Sequence, residues 1–152
     1  MAGTVEYERD YCGWLRENAR LLREGRWGEI DSEHIAEELE AMGRSEKREL
    51  ASRLSVLIAH LLKWQYQPVR RSRSWRNTIS TQRMDLKELL EESPSLRRDL
   101  EKRIEKSYEK AKLKAEDETG LYKERFPPTC PFSPEEILDE SFFPSAVRGT
   151  EP

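Results

Sequence analysis

The chain has 152 residues, the size of one ordinary domain. Hydrophobic residues make up 36% of it and charged residues 38%. Amphipathic helices are the most economical way to build a core from so lean a mixture. Apolar runs are no longer than about four residues, too short for a membrane-spanning helix. The start carries Glu6, Glu8 and Asp10 and no apolar stretch, so no signal peptide is expected. Two cysteines support neither a disulfide scaffold nor a four-ligand zinc site.

The first helix is expected from about Tyr7 to Glu24. Tyr7, Tyr11, Trp14, Leu15, Asn18, Leu21 and Leu22 recur at threes and fours, the period of one helical face. Gly25 suits the position just past its end. A second helix is predicted behind Asp31 or Ser32, with Ile35, Leu39 and Met42 as its stripe, ended or kinked at Gly43. Ser45 is read as the cap of a third helix. That helix holds Leu50, Leu54, Leu57, Ile58, Leu61 and Leu62, the densest apolar face of the chain, and stops before Pro68. A fourth helix is predicted from Ser72 or Ser74, using Trp75, Ile79, Leu86, Leu89 and Leu90.

Ser93-Pro94 predicts a cap and first turn for a fifth helix, which carries Leu96, Leu100, Ile104, Tyr108, Ala111 and Ala115 and is closed by Gly120. Phe126, Pro127, Pro128, Pro131 and Pro134 then make an irregular strap. Ser133 to Glu136 reads as a capping box for a short helix through about Glu140. Phe132, Ile137, Leu138, Phe142 and Phe143 are expected to dock on the bundle, and residues 145–152 to fray. Trp14 and Trp75 are expected in the core, and Trp27 as a plug at one end. The fold class that follows is all-α: a single compact bundle of four to five helices over residues 1–152, core about 7–143, with a proline-rich strap and a short terminal helix.

Charge is segregated. Residues 1–49 hold 13 acids and 8 bases. Residues 50–84 hold 7 bases and no acid, and residues 85–126 hold 12 acids and 11 bases. Within the basic window, Arg70, Arg71, Arg73 and Arg76 lie among Trp64, Tyr66 and Trp75. That mixture suits phosphate contact and base stacking, so Arg70, Arg71, Arg73, Arg76 and Arg83 are candidate anion-binding residues. Arg73 and Arg76 in the first turns of a helix oppose its dipole. The compensation is expected either from an anion or from an acidic helix face formed by Glu33, Glu37, Glu38 and Glu40. Glu37, Glu38, His60, Arg76 and Arg83 are accordingly the candidate polar cluster, structural or functional.

A hydrolase or metal centre at Glu37, Glu38 and His60 is a further alternative. It lacks the Glu-x-x-His pairs of a di-iron bundle and a persuasive third ligand, so no metal and no cofactor is expected. Cys12 and Cys130 have no identifiable histidine partner. Neither a Ser-His-Asp pattern nor a glycine-rich phosphate loop is present.

Asp10-Tyr11 with Trp14-Leu15, Ala36-Glu37-Glu38-Leu39-Glu40 before Gly43-Arg44-Ser45-Glu46, and His60-Leu61-Leu62-Lys63-Trp64-Gln65-Tyr66-Gln67-Pro68 form a recognisable set. It continues through Arg71 to Trp75, Thr78-Ile79, Gln82-Arg83, Pro94-Ser95-Leu96 and Phe126-Pro127. Over about residues 7–143 the chain resembles the bacterial domain of unknown function 29 family. The matching positions are Glu37, Glu38, Gly43, His60, Lys63, Trp64, Tyr66, Gln67, Pro68, Ser74, Trp75, Gln82 and Arg83. His34 falls at a position that the family often fills with other residues. The resemblance implies a small all-helical bacterial protein and supplies no catalytic role. The leading expectation is a cytoplasmic, non-enzymatic interaction protein with a protein partner or a twin. Nucleic-acid or phosphate binding is the runner-up, and no membrane partner is expected.

Overall fold

The computed structural model describes residues 5–147. They form five α-helices and three short 3-10 turns, with no strand among the described residues. Two compact units divide the chain, Met1–Ser45 and Glu46–Pro152.

The first unit is a helical hairpin. Helix α1 (Tyr11–Arg23) is capped by the Asp10 carboxylate, which accepts from Gly13 N at 2.9 Å. A Cβ on Gly13 would lie 2.4 Å from Asp10 Oδ2, so the cap needs glycine there. The helix ends in a Schellman motif: Arg26 N donates to Leu21 O at 3.0 Å and Gly25 N to Leu22 O at 3.1 Å, with Gly25 at φ 71°. Trp14, Asn18 and Leu21 are its buried residues. The hairpin's second arm is the beginning of α2 (Ser32–Tyr66).

Helix α2 corrects the expectation of two separate helices. It runs unbroken for 35 residues through Gly43 and Ser45. Gly43 has no positive φ, and nothing lies within 4 Å of where its Cβ would be. A glycine inside a helix costs only about 1 kcal/mol, too little to break a helix supported on both sides. The expected stripe of the second helix is corrected as well. Leu39 and Met42 are 63% and 64% exposed.

The second unit is a bundle of the later part of α2 with α3 (Arg73–Glu92), α4 (Leu100–Thr119) and α5 (Pro134–Leu138). Leu50, Leu54, Leu57, Ile58, Leu61 and Leu62 are wholly buried at its centre, as their density predicts. The helix stops at Tyr66, and Pro68 opens a 3-10 turn instead. Ser72 caps α3 by accepting from Trp75 N at 3.2 Å. Pro94 does not begin α4. It opens a 3-10 turn, Pro94–Arg97, and α4 starts only after Asp99 takes the left-handed conformation at φ 58°. Gly120, at φ 76°, closes α4 as expected. Ala111 and Ala115 are fully buried.

The strap docks as the aromatic spacing predicts. Phe126, Phe132 and Ile137 are buried, and Leu138, Phe142 and Phe143 pack against the core. The Tyr108 hydroxyl donates to Pro127 O at 2.5 Å. The Ser133/Glu136 capping box is complete, but α5 ends at Leu138. Residues 148–152 of the expected frayed tail lie outside the described residues. Val147 N donates to Gln65 O at 3.1 Å, so residues 145–147 do not fray. Trp75 is only partly buried, and Trp27 plugs nothing, being 65% exposed.

Candidate functional site

The basic window supplies side chains that reach later parts of the second unit. Lys63 projects from the buried face of α2. Its ammonium donates to Glu118 of α4 at 2.5 Å and stands 4.5 Å above the Trp75 ring. Arg53 pairs with Glu49 at 3.0 Å and with Asp85 of α3 at 2.8 Å. Arg71 donates to Trp64 O at 2.8 Å and to Pro144 O at 3.4 Å. Arg83 is 2% exposed. Its Nε donates to Ile137 O at 2.8 Å and its Nη2 to Glu136 O at 3.1 Å. Burial pulls both guanidinium groups, Arg71 and Arg83, below their ordinary pKa.

Arg76 resolves the conflict with the helix dipole in a way that the sequence does not announce. Its guanidinium lies 5.5 Å from the Trp64 ring centre and 5.2 Å from that of Phe143. Aromatic faces attract the cation and offset the dipole's repulsion. The basic window is thus served by the Trp64, Trp75 and Phe143 rings, by backbone carbonyls, and by Glu49, Asp85 and Glu118. Of the candidate anion-binding residues, Arg70, Arg73 and Arg76 are exposed. Arg73 lines a cavity of about 500 Å³ together with Trp64, Arg71, Ser72 and Arg76.

Of the acids expected to answer these arginines, Glu38 is bonded elsewhere. Glu38 accepts from the Tyr7 hydroxyl and, at 2.5 Å, from the Tyr11 hydroxyl. Those bonds hold its pKa below the ordinary value and push Tyr7 up to about 12. Glu37 is exposed. His60 belongs to the same helix as Glu37 and Glu38, not to a facing one. Its Nδ1 donates to Val56 O at 2.9 Å, and burial lowers its pKa.

The hairpin holds a polar hub that sequence reasoning missed. Asp31 accepts from Trp14 Nε1 at 2.9 Å and pairs with His34 Nδ1 at 2.7 Å, and its backbone N–H donates to Asn18 at 2.8 Å. Tyr7 stacks on His34, ring centres 4.3 Å apart. The bond it donates to Asp31 raises the His34 pKa. Spacing carried one signal of this: Asp31 precedes the helix and His34 follows it by three, the reach of a capping carboxylate. A cavity of about 430 Å³ opens beside Tyr7, Glu17, Asp31 and His34. A carboxylate-held imidazole is one part of an acid–base machine. Among the described residues no three His, Cys, Asp or Glu side chains converge as a metal site.

The hairpin also leaves large apolar side chains uncovered. Tyr11, Leu15 and Leu22 form one stripe of α1, and Ile35, Leu39 and Met42 one stripe of α2. The Trp14–Asp31 and Tyr11–Glu38 bonds fix how the two helices face each other. With that contact set, Leu22 of α1 and Met42 of α2 lie toward opposite ends of the hairpin. All of these side chains are exposed except Ile35, which is half-buried.

A family model, Domain of unknown function DUF29, matches residues 6–143. The chain belongs to the DUF29 family. The family description assigns no activity, and it covers the hairpin, the basic window and the strap alike. No curated protein and no solved structure matches the chain. Among the described residues, no helix is long and apolar enough to cross a membrane.

Proposed function

We propose that this DUF29 chain is a non-enzymatic bacterial interaction protein, one helical domain working in the cytoplasm. It engages another polypeptide through the exposed apolar side chains of its N-terminal hairpin. The observation that carries the reading is the shared exposure of Leu15 and Leu22 on α1 with Leu39 and Met42 on α2. Exposed large apolar side chains gathered in one unit of a chain this polar mark an interaction face. The two thiols, Cys12 and Cys130, are free, which suits a reducing compartment. The arginines of the basic window support the same reading, because most of them are engaged by the chain's own rings, carbonyls and carboxylates.

The test is a photo-crosslinking amino acid placed at Leu39 in the full chain, in cells that make it, with Glu135 of α5 as the control position. A discrete adduct at position 39 that is absent at position 135 supports the reading. No adduct at position 39 overturns it.

A further inference from the structure

We propose that the second unit binds a small organic phosphate in the groove between α2 and α4. All the residues involved belong to that unit, so the site stands or falls apart from the hairpin reading.

The groove holds a cavity of about 610 Å³, the size of an ordinary small-molecule site. Arg48 lines it from α2, and Arg103, Lys106 and Lys110 line it from α4. Four cations thus share one concavity. Among the described residues none of these four side chains has an ion pair or a hydrogen bond, whereas Arg53 and Lys112 nearby both have carboxylate partners. The one carboxylate among the described lining residues, Glu109, accepts from Lys112 at 2.9 Å. Helix α4 gathers its charge at a cost. Lys102, Lys106, Lys110 and Lys114 repeat every four residues, and like charges at that spacing repel along a helix. An anion in the groove offsets that repulsion.

Two buried polar groups call for the same occupant. Ser107 lines the cavity, is only 4% exposed, and its hydroxyl has no hydrogen-bond partner. The Nε of Arg103 is buried without one as well. Leaving such groups unpaired is costly, and native chains rarely do it without a reason. A phosphate suits both, because a hydroxyl and a guanidinium N–H each donate to its oxygens.

The rest of the ligand is apolar. Leu113 is 51% exposed and lines the cavity with Ala51 and the lysine stems. A ring or short chain carried by the phosphate rests against them. A nucleic-acid strand fits less well, because no aromatic ring lines the cavity to stack a base.

Isothermal titration of the purified full chain with phenyl phosphate, inorganic phosphate and phenol tests this. Phenyl phosphate binds about tenfold more tightly than inorganic phosphate, and phenol alone does not bind. Arg103→Gln weakens phenyl phosphate by about tenfold or more, and so does Lys106→Gln with Lys110→Gln. Circular dichroism of these variants keeps the native helix content, because none of the three side chains is fully buried. Ser107→Ala separates the site from the fold. It removes an unpaired buried hydroxyl, so the Tm of the free chain holds or rises while the affinity falls. Arg70→Gln with Arg73→Gln, in the basic window, leaves the affinity unchanged.

No binding of phenyl phosphate at millimolar concentration overturns the proposal. So does binding that survives the groove substitutions, or that falls equally with Arg70→Gln and Arg73→Gln, which is general attraction to a basic surface. An oligonucleotide that binds through Arg103 and Lys110 where phenyl phosphate does not makes the groove a nucleic-acid surface and removes the small ligand.

Discussion

Arg83 and Ile137 are joined by a 2.8 Å bond from a buried guanidinium Nε to a backbone carbonyl, across 54 residues of sequence. A buried arginine usually faces a carboxylate. Here two consecutive carbonyls, of Glu136 and Ile137, receive its fork, and the Phe143 ring centre lies 5.5 Å from Cζ. The strap is thereby fastened to α3 by its backbone.

Arg83→Ala should destabilise the fold by about 3 kcal/mol, from two lost charge-assisted bonds and the space left behind. Arg83→Lys keeps the charge but not the fork, and should cost about 2 kcal/mol. Urea unfolding measures both. Cys130, whose thiol burial pushes up to about 11, reports on the strap directly. Its reaction with a thiol reagent should be slow in the wild-type chain and faster in Arg83→Ala. An unchanged Cys130 rate would show that Arg83 does not hold the strap.

The Lys63–Glu118 pair is asymmetric, with side-chain exposures of 6% and 48%. Glu118→Gln leaves the ammonium buried without its counter-charge and should cost about 2 kcal/mol. Lys63→Met leaves a carboxylate that water can reach, and should cost under about 1 kcal/mol. The reverse order would contradict this account of the pair. Burial is the largest single effect and raises the Glu118 pKa, but the Lys63 bond together with the charges of Lys63, His60 and Lys114 carries it below the ordinary 4.5. Its contribution to stability is therefore present above about pH 4.5 and lost as pH falls through the lowered value.

The two histidines should titrate in opposite directions from 6.5 in NMR spectra. His34 moves up because Asp31 holds its Nδ1, and His60 moves down because it is buried. Stability from the His34–Asp31 pair is complete below about pH 6.5, where the unfolded imidazole is also charged. It fades as pH rises through the raised His34 value. On the acid side it fades again as pH falls through the Asp31 value, which the His34 and Trp14 bonds carry below 3.8 against the opposing effect of burial. His34→Gln should remove the alkaline limb. If His34 titrates below His60, the hub is not formed in solution.

Gly43→Ala should stabilise the chain by about 0.5–1 kcal/mol, since α2 is continuous there and the added Cβ meets nothing. Gly120→Ala should destabilise it by a similar amount, because φ 76° is strained for alanine. Thermal unfolding distinguishes the signs. Destabilisation by Gly43→Ala would mean that α2 is broken at that point.

Features set by neighbouring residues were legible in the sequence. The ends at Gly25, Gly120 and Pro68, the Ser72 cap and the Ser133 capping box each depend on a few adjacent residues. So does the central position of Leu50 to Leu62, which follows from periodicity alone. The break at Gly43 was misread because a glycine before Ser45 resembles a helix stop. Its small intrinsic cost was outweighed by helix on either side.

The sequence by itself determined an all-helical chain, most of its helix ends, the leucine-rich centre and the segregation of charge. Only the tertiary structure decided what the segregated charge does. Arg83 and Arg71 bind backbone carbonyls, which every residue carries and no sequence pattern marks. Arg76 settles on ring faces, Lys63 finds Glu118, and Glu38 takes two tyrosines. Tertiary structure also decided which apolar stripes stay uncovered. Leu39 and Met42 repeat with the same period as Leu57 and Leu61, because periodicity reports the side of a helix and burial depends on what is packed against it.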